Sequence, residues 1–298
     1  MVTIATQSLS SCRACEMAFV RIGDSLLEVL PELTLLATPS STEEFHSAPK
    51  ATVGLIAGVV RTKQDLKRLQ ALRSRVEILF AIGTCATAGG IPALCDAPSV
   101  DLPALLAQRP CTVPGPSPDP DHALLAHCLP AAHYVTVDLE VPGCPPHPDW
   151  LAECLLALVD ARTPRLPLRC VCDHCPTRRS TTRSLTEELS RMLEQPEAPP
   201  RHSLDDMACL LEQGFMCMGP VTRAGCGGKG GPPRCIAAQV PCRGCNGPVN
   251  KKAQPWADVT AAFAAAGYDP ATMPDKQGFL SRYQGFRMLN GYRRTAHE

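Results

Sequence analysis

The sequence predicts an α/β chain, a parallel sheet with covering helices, followed by a small irregular domain rich in cysteine. Three observations carry that expectation. Apolar runs alternate with segments of helical period through the first half, the pattern of a parallel sheet. Three of those runs end in turns that carry either a Cys-x-x-Cys pair or a single cysteine. From Cys172 onward apolar runs become scarce, and eight cysteines fall between Cys172 and Cys245.

The elements follow in order. Val2 to Ala5 is apolar and β-branched and reads as the first strand. Cys12-Arg-Ala-Cys15 follows a turn, and Glu16 to Leu33 keeps a roughly helical period through Met17, Val20, Leu26, Leu27 and Leu30. The first Cys pair thus lies between a strand and a helix N-terminus, whose free N–H groups suit anionic thiolates. Leu33 to Ala37 is a short strand candidate. Ala51 to Val60 is continuously apolar, as a strand buried on both faces should be. Lys63 to Arg75 reads as a helix with Leu66, Leu69 and Leu72 on one side.

Val76 to Ile82 is the next strand, and it runs into the glycine-rich loop of Ala81-Ile-Gly-Thr-Cys-Ala-Thr-Ala-Gly-Gly-Ile-Pro92, which delivers Cys85. Residues 95–130 are crowded with proline and read as a surface excursion, its Cys95, Cys111 and Cys128 as ordinary small thiols. Tyr134 to Val141 returns to strand and ends in a turn carrying Cys144. Asp149 to Ala161 is a helix with Leu151, Leu155 and Leu158 on its core face and Cys154 beside them. Arg162 to Pro167 closes the first domain, giving 1–165 and 166–298 as the two domains.

In the second half, Ser184-Leu-Thr-Glu187 is a capping box that opens a short helix through Leu189 and Met192. Trp256 to Ala266, stopped by Gly267, and Gly278 to Leu289 read as closing helices. The glycines of Ala224 to Gly231 do not form a phosphate loop: no strand precedes them, and Lys229 is followed by Gly230 instead of Ser or Thr.

Composition narrows the function. Lys+Arg and Asp+Glu balance at 29 each, which argues against a nucleic-acid partner. No apolar run has the length of a membrane span. The N-terminus has neither a basic region nor a long apolar one, which places the protein in the cytoplasm. In a reducing compartment, 17 cysteines with three Cys-x-x-Cys pairs point to metal in preference to disulfides or a single redox dithiol.

Ligands of an open parallel sheet bind beyond the carboxyl ends of its strands. Cys12, Cys15, Cys85 and Cys144 all closely follow strands there, placing one four-thiolate site where a flavodoxin-like protein holds its flavin. The eight later cysteines supply two further sets of four. Zinc ribbons draw on two close pairs, whereas here pairs combine with remote single cysteines. That irregular spacing favours iron–sulfur clusters over structural zinc.

At these residues the chain resembles the small, electron-transfer subunit of nickel–iron hydrogenases over nearly its whole length. Cys12-Arg-Ala-Cys15 is similar to the family's first proximal-cluster pair, Gly83-Thr-Cys-Ala-Thr-Ala-Gly-Gly-Ile-Pro92 to its glycine-rich second element, and Val141-Pro-Gly-Cys-Pro-Pro146 to its third. Cys209-Leu-Leu-Glu-Gln-Gly-Phe-Met-Cys-Met-Gly-Pro220 and Pro241-Cys-Arg-Gly-Cys-Asn-Gly-Pro248 are similar to the distal and medial segments. The resemblance implies a flavodoxin-like domain followed by an iron–sulfur domain, with three 4Fe–4S clusters. The proximal one would use Cys12, Cys15, Cys85 and Cys144; the distal one Cys172, Cys175, Cys209 and Cys217; the medial one Cys226, Cys235, Cys242 and Cys245.

The sequence departs from the periplasmic members in two ways. They carry histidine where Cys172 stands, and often proline in place of one medial cysteine, Cys242 or Cys235. All-cysteine ligation here implies a medial 4Fe–4S cluster. The Cys209 to Cys217 gap is longer than theirs, which leaves Cys170 as a substitute for Cys172. The resemblance is strongest to the cytoplasmic methyl-viologen-reducing, heterodisulfide-reductase-associated type and to sulfhydrogenase-like small subunits.

The expectation is an electron relay from H2 oxidation in a nickel–iron large subunit to an iron–sulfur or flavin acceptor subunit, with no H2-activating residue in this chain. The alternatives are an iron–sulfur relay subunit of a related complex without hydrogenase activity, and a structural zinc protein. Glu16 reads as a carboxylate placed by the helix dipole, and His147 and His174 as loop residues.

Overall fold

The computed structural model describes residues 2–23, 27, 30–36, 50–107, 121, 123–179, 189, 203–249 and 254–284. The chain divides into two compact units, one of Met1–Arg165 with Tyr283–Glu298 and one of Leu166–Arg282.

The first unit is built on strands β1 (Val2–Ser8), β2 (Leu33–Leu35), β3 (Ala51–Ala57), β5 (Val76–Ile82) and β7 (Leu139–Val141). They form one sheet in the order β2-β1-β3-β5-β7, with every neighbouring pair parallel. Counted among themselves these strands run 2-1-3-4-5, the flavodoxin-like doubly wound order. The apolar runs lie where such a sheet needs them, with Ile4, Val53, Ile56 and Leu79 fully buried. Helix α1 (Ala14–Val20) follows β1, α2 (Lys63–Arg73) precedes β5, α3 (Gly83–Ala88) follows β5, and α5 (Pro148–Val159) follows β7. Between α3 and α5 lie α4 (Leu102–Ala107) and β6 (Leu124–Leu129). Leu151, Cys154 and Leu155 of α5 meet Leu55, Phe80 and Ile82 of the sheet, so Cys154 is a core residue as its position suggested.

Several boundaries differ from expectation, each for a local reason. β1 continues through Thr6, Gln7 and Ser8, which pair with Leu55, Ile56 and Ala57, because backbone pairing does not require apolar side chains. The apolar run Ala51 to Val60 is two strands. It breaks at Gly58, where φ is +93° and a Cβ would lie 2.8 Å from the Ser10 carbonyl oxygen. Beyond the break, β4 (Val60–Thr62) pairs antiparallel with β6 in a second, two-stranded sheet. β6 therefore sits inside the stretch read as a surface excursion. β7 is shorter than Tyr134 to Val141, because Tyr134, Val135 and Val137 pack onto the core from outside the sheet and Asp138 accepts the Leu79 N–H at 2.8 Å. α1 stops at Val20, well before Leu33. The chain then turns at Arg21–Gly23, and residues 24–26 and 28–29 lie outside the described set, as do Cys111 and the proline run 108–120.

The second unit has little regular structure. Its described helices are α6 (Arg234–Ala237), α7 (Pro255–Ala265) and α8 (Lys276–Gln284), with 3-10 turns at Val171–His174 and Pro270–Thr272. Met207, Leu210, Phe215 and Ile236 form a small core against which Cys175 packs. Phe263 and Phe279 pair with ring centroids 6.4 Å apart, and the Tyr268 hydroxyl donates to the Leu211 carbonyl at 2.7 Å. The helix expected from Ser184 through Met192 lies outside the described residues except for Leu189. No helix among the described residues is long and apolar enough to cross a membrane.

Candidate metal centres

The loops after β1, β5 and β7 meet at the carboxyl edge of the sheet. Ser11 orients the first of them, its hydroxyl accepting the Arg13 N–H at 3.2 Å, and Arg13 takes a left-handed φ of 61° so that α1 starts with Cys15 in its first turn. The second and third loops are tied together. The Thr84 N–H donates to the Gly143 carbonyl at 2.9 Å, and the buried Thr84 hydroxyl accepts the Gly143 N–H at 3.1 Å. Thr84 therefore fixes Cys85 against Cys144.

Two glycines make room for the thiols. Gly83 has a φ of +84°, and a Cβ there would fall 2.3 Å from Cys15 Sγ. A Cβ on Gly90 would fall 2.9 Å from Cys85 Sγ. Burial pushes the Cys15 thiol up to about 12, helped by Cys85, Cys144, Cys12 and Glu16 in that order. Burial, then Cys144 and Cys12, push Cys85 up to about 11, and burial and Cys12 raise Cys144. Cys15, Cys85 and Cys144 are thus each harder to ionise than a free thiol, through burial and then through neighbouring thiols. A multivalent cationic centre relieves that difficulty, since a coordinating thiol is held deprotonated by the metal charge.

In the second unit, Cys170, Cys172, Cys175, Cys209 and Cys217 line a cavity of about 470 Å³. Cys217 is buried; burial raises its thiol to about 11, with N–H bonds from Gly219 and Cys242 working against the rise and Cys209 and Cys175 adding to it. Burial, then the neighbouring Cys217, raises the Cys172 thiol, and Arg179 works against the rise. Gly219 leaves space for both, since its Cβ would lie 3.0 Å from Cys172 Sγ and 3.4 Å from Cys217 Sγ. Cys170 is engaged differently. It caps the turn Val171–His174, its sulfur accepting the Asp173 N–H while its own N–H donates to Asp173 Oδ2 at 3.0 Å. Cys172 is the member of the pair that faces Cys217 and Cys209.

The third set is linked through Cys242, whose thiol is raised by burial and then by Cys217, Cys235 and Cys245. Burial raises Cys226, which also feels Cys235. The Cys242 N–H donates to Cys217 Sγ at 3.3 Å, so the second and third sets touch at this buried hydrogen bond. The glycine loop between them folds on itself: a Cβ on Gly227 would lie 2.2 Å from the Pro232 carbonyl oxygen. Close backbone approach accounts for Gly227 and Gly231.

All twelve cysteines singled out in the sequence are among the described residues. Among the described residues, no three His, Cys, Asp or Glu side chains are grouped as a single bound metal ion would require. His174 is exposed, and His147 caps α5, its Nδ1 accepting the Asp149 N–H at 3.2 Å. Cys95 and Cys128 share a hydrogen bond beside Asp96, and burial raises both; with Cys85 they pack around Val59 and Ala93. Sequence reasoning missed Thr84, Gly219 and Arg179. Arg179 lines the second cavity, where its charge acts on Cys172 and Cys209. Its sequence signal was slight, a basic residue four positions after a Cys-x-x-Cys pair.

Comparison with known proteins gives a consistent answer. Residues 12–158 match the family described as NADH ubiquinone oxidoreductase, 20 Kd subunit. The chain is 32% identical over 290 residues to a subunit of the vhu F420-non-reducing hydrogenase of Methanocaldococcus jannaschii, covering 95% of this chain and 96% of that one. It is 27% identical over 241 residues to the delta subunit of sulfhydrogenase 2 of Pyrococcus furiosus, covering 80% and 84%. Among solved structures, the actinobacterial-type NiFe-hydrogenase from Ralstonia eutropha H16 aligns with a TM-score of 0.51 at 17% identity, over 92% of this chain and 81% of that one, a likeness of fold. The chain belongs to the small-subunit family of the nickel–iron hydrogenases, alongside the matching subunits of F420-non-reducing hydrogenases and the delta subunits of sulfhydrogenases.

Proposed function

We propose that this chain is the electron-transfer subunit of a cytoplasmic nickel–iron hydrogenase complex and that it holds three 4Fe–4S clusters. The proximal cluster is assigned to Cys12, Cys15, Cys85 and Cys144, the distal one to Cys172, Cys175, Cys209 and Cys217, and the medial one to Cys226, Cys235, Cys242 and Cys245. The observation that carries the reading is Gly83, where any side chain would occupy the place of the Cys15 sulfur at the edge where four thiols meet. Bound clusters of this kind supply reversible one-electron storage at potentials set by charge, hydrogen bonding and exposure.

The chain's own residues hold and tune. Thr84 locks the Cys85 loop to the Cys144 loop, and Gly83, Gly90 and Gly219 keep space around the sulfurs. The Cys242 N–H, bonded to Cys217, gives the medial and distal sets a direct through-bond link. Hydrogen activation is assigned to a nickel-bearing large subunit docked at the proximal edge. The acceptor is assigned to an iron–sulfur or flavin subunit near the distal set.

Metal analysis of the purified complex tests this. We expect iron and acid-labile sulfide near about twelve each per chain, as three cubanes require, with nickel present and hydrogen-dependent dye reduction. Stoichiometric zinc without sulfide would overturn the cluster assignment. Iron and sulfide at that level with neither nickel nor hydrogen-dependent reduction would sink the hydrogenase role.

A further inference from the structure

The second cavity carries a charge that the thiol ligands do not explain. Arg179 is the one cationic side chain among the described residues that line it, and its charge acts on Cys172 and Cys209. The backbone holds it there. The Arg178 N–H donates to the Met207 carbonyl at 2.9 Å and the Cys209 N–H donates to the Arg178 carbonyl at 2.8 Å, so the chain entering Arg179 is stitched to Cys209. Its neighbour Arg178 is spent elsewhere, paired with Asp206 at 2.7 Å. Two carboxylates also line the cavity. Asp173 is occupied by Cys170 and also sees Arg169 and His174, while Glu212 lies beside Cys209.

We propose that Arg179 is a tuning residue of the distal cluster site, raising the cluster's reduction potential through its fixed charge. This rests on the distal cluster assignment given above. One electron enters on reduction and no bond is made or broken, so the reduced site is more negative by one charge. A guanidinium stays protonated and therefore stabilises the reduced form more than the oxidised one. Cluster potentials respond to both net charge and hydrogen bonds to sulfur. Arg179 is largely exposed, and solvent screening keeps the effect moderate.

The test uses the complete complex with R179Q and R179K, and follows by redox titration with EPR the cluster signal that C209S removes. In R179Q the reduced-to-oxidised ratio at a fixed ambient potential should fall by up to about tenfold, which for one electron is about 59 mV. R179K keeps the charge and should stay closer to the parent. An R179Q titration that overlays the parent overturns the proposal, as does an R179K shift as large as that of R179Q. Loss of cluster iron in R179Q also overturns it, because Arg179 would then be holding the cluster and not tuning it. If C209S removes no cluster signal, the distal assignment itself fails, an outcome separate from an unshifted R179Q.

Discussion

At the scale of single residues, the glycines around the thiols make the strongest demands. Alanine at position 83 meets two obstacles: a left-handed φ costs an L-residue about 1–2 kcal/mol, and its Cβ would sit 2.3 Å from Cys15 Sγ. On the proposed ligation, G83A should therefore lose the proximal cluster, about four irons per chain, and spare the other two; retained iron would show that the Cys15 thiol has another place to go. Two neighbouring cysteines allow a sharper contrast. Cys85 lies in the field of Cys12 and Cys144, whereas Cys95 bonds to Cys128 and Asp96. C85S should lose the same irons and impair electron entry, and C95S should do neither. Equal iron loss in the two variants would remove the basis for assigning Cys85 to the site.

At the scale of elements, α2 shows how the sheet is braced behind the site. Thr62 and Asp65 form a reciprocal capping box. Asp65 Oδ2 is buried and accepts from the Ser10 hydroxyl at 2.8 Å, the Arg61 N–H at 3.1 Å and the Thr62 N–H at 2.9 Å. One carboxylate thus ties the start of α2 to the loop that leads into Cys12. T62A should cost about 1 kcal/mol, the usual value of an N-cap. D65A should cost more, roughly 2–4 kcal/mol, because it strands several donors at once. Hydrogen exchange of the α2 amides measures both, and D65A exchanging no faster than T62A would show that Ser10 and Arg61 find water in its place.

The alternation that foretold a parallel sheet was legible because buried strands must be apolar, and β3 and β5 are. What stayed hidden is set by tertiary pairing. The break at Gly58 depends on the approach of the Ser10 carbonyl, which no local pattern records. β6 was obscured by its proline-rich surroundings, and its partner is a three-residue strand.

At the scale of the whole molecule, the three Cys-x-x-Cys pairs and the cysteines that follow β5 and β7 are legible in the sequence. The environment of those thiols is not. That Cys170 caps a turn while Cys172 faces Cys217, and that Arg179 joins them, depends on where the chain returns at Cys209.

The two units also differ in what holds them. The first buries Ile4, Val53, Ile56, Leu69, Leu72 and Leu79 in and against a five-stranded sheet. In the second, a four-residue cluster around Met207 and Phe215 lies among loops, and the helices there are short. Buried cysteines such as Cys217 and Cys242 fill positions that a core would give to larger side chains. When ligands are brought together by a metal, binding free energy becomes folding free energy. Stripping iron with a chelator under anaerobic conditions should therefore leave slow hydrogen exchange in β1, β3 and β5 while protection collapses across residues 203–249. The Met218 and Thr222 amides, which bond to the Cys242 and Met218 carbonyls at 3.0 Å, are sensitive reporters of that collapse. Equal loss in both units would mean that the sheet too depends on its proximal site, and retained protection at Met218 would mean that the second unit stands on its packing alone.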